Sequence, residues 1–322
     1  MRVIGAAEVE AALGYRDLVE RLREAFRSEI AVPLRHHHTI PALGSGPGVD
    51  PATLLLMPAW QSGRHIGIKI VTVFPGNPAR SLPSIMGVYL LLDGGTGAPL
   101  ALLDGPALTV RRTAAASALA SSYLSRPESS RLLVVGTGAL APELALAHSA
   151  VRPIAEIEIW GRSPEKARAV AERLKSSGAS VTVSDDLEAA VGRADIVTCA
   201  TMAREPLIRG GWLNEGAHLD LVGGFTPAMR EADDDAIGRA TIFVDTREGA
   251  TKEAGDIVQP LESGILTKES IAGDLFDLAH GRAGGRKDDR EITFFKSVGT
   301  ALEDLAAAQL VHEKDGEKGD RP

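Results

Sequence analysis

The stretch Arg131-Leu-Leu-Val-Val-Gly136-Thr137-Gly138-Ala139-Leu140-Ala141 decides the fold of this chain. Apolar residues run directly into G-x-G-x-x-A, the pattern of a strand that turns sharply into a helix. Gly136 permits the tight turn, Gly138 lets the main chain approach a ligand, and Ala141 lets the helix pack close to the strand. Pro142 stands where a first helical turn tolerates it, ahead of Glu143-Leu-Ala-Leu-Ala147. The N-terminus of such a helix receives phosphate groups. The stretch therefore predicts a dinucleotide site that uses Gly136, Thr137, Gly138, Ala139 and Leu140.

The next strand indicates which dinucleotide. Ile157-Glu-Ile-Trp160 ends in Gly161-Arg162-Ser163-Pro164, with Lys166 one turn further on. NAD sites place an Asp or Glu about 20 residues after the glycines, to accept bonds from the ribose hydroxyls. No acid stands here. A guanidinium and a hydroxyl suit a 2′-phosphate, which a carboxylate would repel. Gly161, Arg162, Ser163 and Lys166 thus predict NADP(H) as the preferred cofactor, with NAD(H) possible.

Outward from this stretch, strands at 131–135, 157–160, 180–183, 196–200, 218–222 and 241–245 alternate with helical patterns. The clearest helix is 164–175, with Ala167, Val170, Ala171 and Leu174 on one side. Such alternation predicts a Rossmann-type doubly wound parallel sheet, an α/β domain over 126–291. The region before it differs. Helices over 6–28, strand-like runs at 52–58, 64–73, 84–92 and 98–103, and a small-residue helix over 108–124 make a mixed α+β domain over 1–125. A helix over 292–311 is expected to complete that domain. The charged tail 312–322 and the polar loop 281–290 are expected to be disordered and mobile, respectively.

A length of 322 residues fits two domains. A net charge of −8 argues against nucleic acid, whose binders carry a basic face. No apolar run reaches membrane-spanning length and no N-terminal apolar leader is present, so a cytoplasmic protein is expected. The single cysteine, Cys199, excludes an intrachain disulfide, and its apolar strand Ile196–Ala200 reads as core.

Three basic residues outside the nucleotide domain carry candidate chemistry. Lys69 interrupts the apolar run His65–Phe74, facing either solvent or a site. Arg112 follows Arg111 on a helix, so the two point in different directions. Arg35 opens Arg35-His36-His37-His38. A carboxylate substrate calls for a bidentate Arg. On a strand only His36 and His38 share a face, and no acid or cysteine stands at metal-ligand spacing, so no metal is expected. A serine hydrolase is unsupported without a G-x-S-x-G elbow. Asp220, just before Gly223-Gly224, reads either as a group at the carboxyl edge of the sheet or as a turn cap.

Over nearly its whole length the chain resembles the ornithine cyclodeaminase/μ-crystallin family. The matching pieces are Val32-Pro-Leu-Arg35, Gly67-Ile-Lys69, Leu103-Asp-Gly-Pro-Ala-Leu-Thr-Val-Arg111-Arg112-Thr-Ala-Ala, the Gly136-Thr-Gly-Ala loop, Leu221-Val-Gly-Gly-Phe-Thr-Pro227-Ala-Met-Arg-Glu231, Lys252-Glu253-Ala-Gly-Asp256-Ile and Phe295-Lys296-Ser297-Val-Gly299. The resemblance implies a homodimer. It implies that Arg35, Lys69 and Arg112 line the substrate pocket as its catalytic and binding groups, with Arg112 on the substrate carboxylate. Glu253 is implied near the substrate and Ser297 near the nicotinamide. Thr201 and Val222, at ends of sheet strands, join the cofactor site. Cyclodeaminases of the family place a catalytic Asp after the Gly-Gly, where this chain has Phe225, and Leu140 stands in place of a Gln in the glycine loop. A Phe neither accepts a proton nor orients an amine. The Gly-Gly-Phe-Thr-Pro-x-Met-Arg-Glu form instead resembles the subgroup that reduces cyclic ketimines with NADPH, giving L-proline or L-pipecolate, and Phe225 then borders the substrate. The other expectations are an ornithine cyclodeaminase, an alanine-dehydrogenase-like enzyme, a hydroxyproline dehydratase, and a non-catalytic NADPH-dependent ligand-binding protein.

Overall fold

A computed structural model describes residues 1–42 and 51–319. In chain order it contains β1 (Arg2–Ile4), α1 (Ala6–Ala12), α2 (Tyr15–Arg27), β2 (His36–Ile40), β3 (Ala52–Gln61), β4 (His65–Val73), β5 (Ile85–Asp93), β6 (Pro99–Asp104) and α3 (Gly105–Leu124). Then come β7 (Arg131–Val135), α4 (Leu140–Val151), β8 (Glu156–Trp160), α5 (Pro164–Arg173), β9 (Ser180–Val183), α6 (Leu187–Arg193), β10 (Ile196–Cys199) and β11 (His218–Leu221). The chain closes with α7 (Asp234–Arg239), β12 (Thr241–Val244), α8 (Arg247–Glu253), α9 (Gly255–Ser263), β13 (Ile271–Asp274), α10 (Leu275–His280), β14 (Thr293–Lys296) and α11 (Ala301–Gly319).

The backbone divides into two compact units, Met1–Arg112 with the chain from Ala301 onward, and Thr113–Thr300. The division falls inside α3, earlier than the boundary near residue 125 read from the sequence. Ala114, Ala115, Ala118, Leu119 and Ala120 of that helix are all buried, so no exposed face or change of composition marks the crossing.

The second unit is an eight-stranded sheet in the order β13-β12-β14-β11-β10-β7-β8-β9, with every pairing parallel. It is the doubly wound α/β sheet expected, and the strand order reverses between β7 and β10. In such sheets ligands collect outside the carboxyl ends of the strands at this reversal. Parallel strands covered on both faces read as continuous apolar runs. Accordingly β7, β10, β11 and β14 are almost wholly buried.

One sequence expectation is corrected here. Residues 293–296 are strand, not helix, and β14 is inserted between β11 and β12. Thr-Phe-Phe-Lys is β-branched and aromatic and is buried throughout, which suits a central strand. Only from Ala301 does the helix begin.

The first unit is a six-stranded sheet in the order β1-β6-β5-β4-β3-β2, antiparallel except for the β1–β6 pair. α11 packs on α2 and across β3, β4 and β5. Residues 301–311 of α11 are buried on every side. The tail expected to be disordered from residue 312 is helical to Gly319, and residues 320–322 lie outside the described residues. Charge pairing holds this end to α2 and β1: Arg21 binds Glu313, Lys314 binds Asp17, and Arg2 binds Asp315.

The loop expected to be mobile over 281–290 is tethered. Arg286 donates to the carbonyls of Leu124 (2.7 Å) and Ala217 (3.1 Å) and to Thr293 Oγ1 (3.2 Å). The other charged residues of the loop, Arg282, Lys287, Asp288, Asp289 and Arg290, are exposed. Among the described residues no helix is long and apolar enough to cross a membrane.

Candidate functional site

In the second unit the glycine loop follows β7 and lies at the reversal point. Gly136 adopts φ +129°, and a Cβ there would stand 2.6 Å from the Ala200 carbonyl oxygen, so the β7 turn and the end of β10 meet too closely for any side chain. Nothing stands within 4 Å of a Cβ on Gly138, which leaves its main chain open to a ligand. A Cβ on Gly161 would meet Thr137 Cγ2 at 2.5 Å, so the β8 turn folds directly over the loop. The result is a cleft of about 730 Å³.

Gly136, Thr137 and Gly138 form one wall of that cleft, and Gly161, Arg162, Ser163 and Lys166 another. Thr201 lies on the side of β10. Ser163 caps α5, its hydroxyl accepting from Lys166 N (3.3 Å), which aims the helix N-terminus toward the same edge. Arg204, which the sequence reading did not single out, also lines the cleft. Its only sequence signal is its place five residues past the end of β10, a buried strand. Ala139, Leu140, Val222 and Ser297 are not part of this lining. Leu140 opens α4, and Val222 and Ser297 are buried just past β11 and β14.

A buried polar network stands behind the cleft. Glu231 Oε1 accepts from both the backbone nitrogen and the hydroxyl of Thr201, at 2.7 Å each. Asp256 Oδ1 accepts from the Glu231 and Ala232 nitrogens (2.8 and 3.0 Å). Lys296 donates to the Leu221 carbonyl (3.2 Å) and the Gly223 carbonyl, and lies 3.6 Å from Asp256. Burial, with the charge of Asp256, raises the Glu231 carboxyl to about 7 against the pull of Lys296. Asp245 Oδ2 accepts from the Val298 and Gly299 nitrogens (2.7 and 2.6 Å) and so fixes the loop that carries Ser297. Phe225 follows Gly223-Gly224 and is 47% exposed, and Glu253 is half-buried at the end of α8.

Asp220 is neither a turn cap nor a cleft residue. It is wholly buried, accepting from Ser117 Oγ (3.0 Å) and Thr198 Oγ1 (2.6 Å) and facing His148 Nε2 (3.3 Å). It joins α3 and α4 to the sheet. Cys199 is buried and its thiol is pushed up by that burial, as a core residue.

In the first unit the structure settles which way Lys69 faces. Opposite Met57 on β3 and Tyr89 on β5, it points under α11 and is 3% exposed. Its ammonium lies 2.6 Å from Asp304 Oδ2. Arg112, 6% exposed, donates from Nε to Asp304 Oδ1 (2.9 Å) and from Nη1 to Glu303 Oε2 (2.6 Å). Lys69 and Arg112 are thus brought together by one carboxylate, and the Nη2 edge of the guanidinium stands outside these two pairings. Arg111 points the other way, donating to the carbonyls of Glu10 and Leu13. Arg35 is half-buried on the segment before β2, while His36, His37 and His38 are exposed. Among the described residues no group of three His, Cys, Asp or Glu is placed to hold a metal.

Glu303 and Asp304 escaped the sequence reading. Two acids in the first turn of a helix look like ordinary partners of its dipole. The available signal was that Leu302, Leu305 and Ala306 on every side are apolar, which leaves no wet face for the acids.

Gly67, on the same face as Lys69, has a definite steric role. A Cβ there would stand 1.9 Å from the Tyr89 hydroxyl and 3.0 Å from Leu305 Cδ1. Gly67→Ala is therefore expected to destabilise the first unit by about 1–3 kcal/mol, the range for overpacking a close-packed core. Urea unfolding reads this directly, and an unchanged midpoint would mean that Tyr89 yields freely.

A glycine-rich crevice at the reversal point of a parallel sheet defines a Rossmann-type dinucleotide-binding protein. A family model described as "Ornithine cyclodeaminase/mu-crystallin family" matches residues 2–319, and the chain belongs to that family. It is 41% identical over 303 residues to the Delta(1)-pyrroline-2-carboxylate reductase of Paracoccus denitrificans, covering 93% of this chain and 92% of the other. The reductase of the same name from Thermococcus litoralis, solved with NADH and L-proline, superposes with a TM-score of 0.91 at 33% identity, over 99% of this chain and 98% of that one. An archaeal alanine dehydrogenase dimer with bound NAD gives a TM-score of 0.89 at 29% identity, over 100% and 98% of the two chains.

Proposed function

We propose that this protein is an NADPH-dependent reductase of cyclic ketimines, converting Δ1-pyrroline-2-carboxylate to L-proline and Δ1-piperideine-2-carboxylate to L-pipecolate. The observation that carries the reading is the buried Lys69–Asp304–Arg112 cluster, which holds two cations ready for a small anion. The names of the two reductases support the substrate class.

The cleft fits a nicotinamide dinucleotide: the Gly138 main chain is open, and α5 begins beside Arg162 and Lys166. When bound, the cofactor supplies a hydride. The chain's own residues do the rest. Arg112, through Nη2, and Arg35 hold the substrate carboxylate, which places the imine carbon for attack. Lys69 sits at the ring nitrogen and provides the proton that the new amine needs. Glu253 and Phe225 border the substrate, and Val222 and Ser297 border the nicotinamide. Ala139 and Leu140 start the helix over the pyrophosphate. Arg162, Ser163, Lys166 and Arg204 take the 2′-phosphate and set the preference for NADPH, with NADH as the weaker cofactor.

We also assign a homodimer acting in the cytoplasm. Supporting the dimer, Leu34, Ile40, Phe74, Leu82, Ile85 and Met86 of the first unit are exposed apolar side chains. Sedimentation at a single-chain mass would exclude it.

The decisive assay follows NADPH oxidation with the five- and six-membered imino acids, beside ammonia release from L-ornithine with NAD. Imine-dependent oxidation without ammonia is expected, because Phe225 offers no base for the diamine. Steady ammonia release with proline as product would establish a cyclodeaminase instead. No oxidation with any imine would leave a ligand-binding protein.

A further inference from the structure

Asp304 stands out because it is wholly buried and serves two cations with its two oxygens, one each. Glu303, the next residue on α11, reaches Arg112 through Nη1. The groups facing Lys69 are Asp304 and Glu303 from α11, Arg112 from α3 and Tyr89 from β5. Tyr89 is buried with its phenol pushed well above the ordinary value, so it stays neutral. Met57, across from Lys69 on β3, carries no charge. Two cations close together out of water repel each other and lose their hydration. Among the described residues, the two acids of α11 oppose this.

We propose that Asp304 is a positioning residue for imine reduction, the shared counter-ion that fixes Lys69 beside Arg112 and decides whether Lys69 arrives at the substrate charged. This rests on the reading of Lys69 as the proton source. Burial, and to a lesser degree the Arg112 charge, bring the Lys69 ammonium down to about 8, while Asp304 and Glu303 hold it up. Near neutral pH it is therefore charged, yet close to its release point. In the reaction the imine carbon gains the hydride, the C=N π pair becomes the nitrogen lone pair, and that nitrogen takes the proton from Lys69 Nζ. Neutral Lys69 then regains a proton from solvent. Without Asp304 the ammonium is opposed by Arg112 and by its own desolvation, and it becomes neutral before the substrate arrives.

The test is Asp304→Asn in the full-length chain. The Lys69 midpoint is read by NMR from its ¹³Cε shift, assigned with Lys69→Arg, and the pH profile of kcat/KM is recorded beside it. Loss of an opposite charge at contact is expected to lower the midpoint by about 1–3 pH units. The basic limb of the profile should move with it, so activity at pH 7 falls while activity at lower pH is retained better. Glu303→Gln, which leaves both Asp304 contacts in place, should shift the midpoint less. An unmoved Lys69 midpoint in Asp304→Asn, or an equal shift in Glu303→Gln, would overturn the proposal. If Asp304→Asn does not fold, Asp304→Glu decides: it keeps the charge but displaces the carboxylate from its 2.6 Å contact with Lys69, and an unmoved Lys69 midpoint and basic limb in that variant would overturn the proposal. A shifted midpoint in a protein that oxidises NADPH with no imine would uphold the counter-ion role and refute imine reduction.

Discussion

Arg112→Lys is expected to lower kcat/KM for the cyclic imine by about 10²-fold or more, with NADPH affinity nearly unchanged. The charge survives this exchange, but the planar fork does not. In the wild type, one plane carries Nε to Asp304 and Nη1 to Glu303, with Nη2 outside both pairings. A lysine has a single nitrogen and cannot satisfy two buried acids and a substrate carboxylate from fixed directions. One acid is then left underpaired, and the imine carbon loses its alignment with the hydride. Steady-state kinetics with Δ1-pyrroline-2-carboxylate, beside a fluorescence titration of NADPH, separates these effects. Near-normal turnover would move the carboxylate anchor elsewhere, with Arg35 the next candidate.

The second large effect belongs to the cofactor. Arg162→Asp is expected to weaken NADPH by at least about 2 kcal/mol, roughly 30-fold, and NADH far less. A charge-assisted bond to the 2′-phosphate is lost, and a like charge takes its place. Because Arg162 is exposed at the cleft rim, Lys166 and Arg204 remain to retain part of the affinity. Dissociation constants for both cofactors decide the matter: equal losses would show that Arg162 does not discriminate between them.

The nucleotide half was legible because its signals are local. Gly136 and Gly138 act within one turn, and strands buried on both faces announce themselves as short apolar runs between helices. β14 was misread because Thr293-Phe-Phe-Lys296 sits close to the start of a long helix, and an apolar run carries no period that separates strand from buried helix. The side of Lys69 was undecidable from alternation alone. It depends on α11, whose residues lie more than 200 positions away in sequence. The buried acids were invisible for the same reason: Glu303 and Asp304 acquire meaning only against partners brought by β4 and α3. Asp220 was ambiguous because a strand-end acid looks alike whether it meets a ligand or the hydroxyls of Ser117 and Thr198.

The first unit is assembled from two ends of the chain, and the second is one unbroken segment between them. During synthesis, Lys69 and Arg112 leave the ribosome long before their counter-ions, because residues 303 and 304 follow the whole of the nucleotide unit. Domains tend to fold as units as they emerge. Until α11 arrives, burial of the two cations is opposed by their own hydration, so the first unit cannot close early. The nucleotide unit, one unbroken segment, meets no such delay.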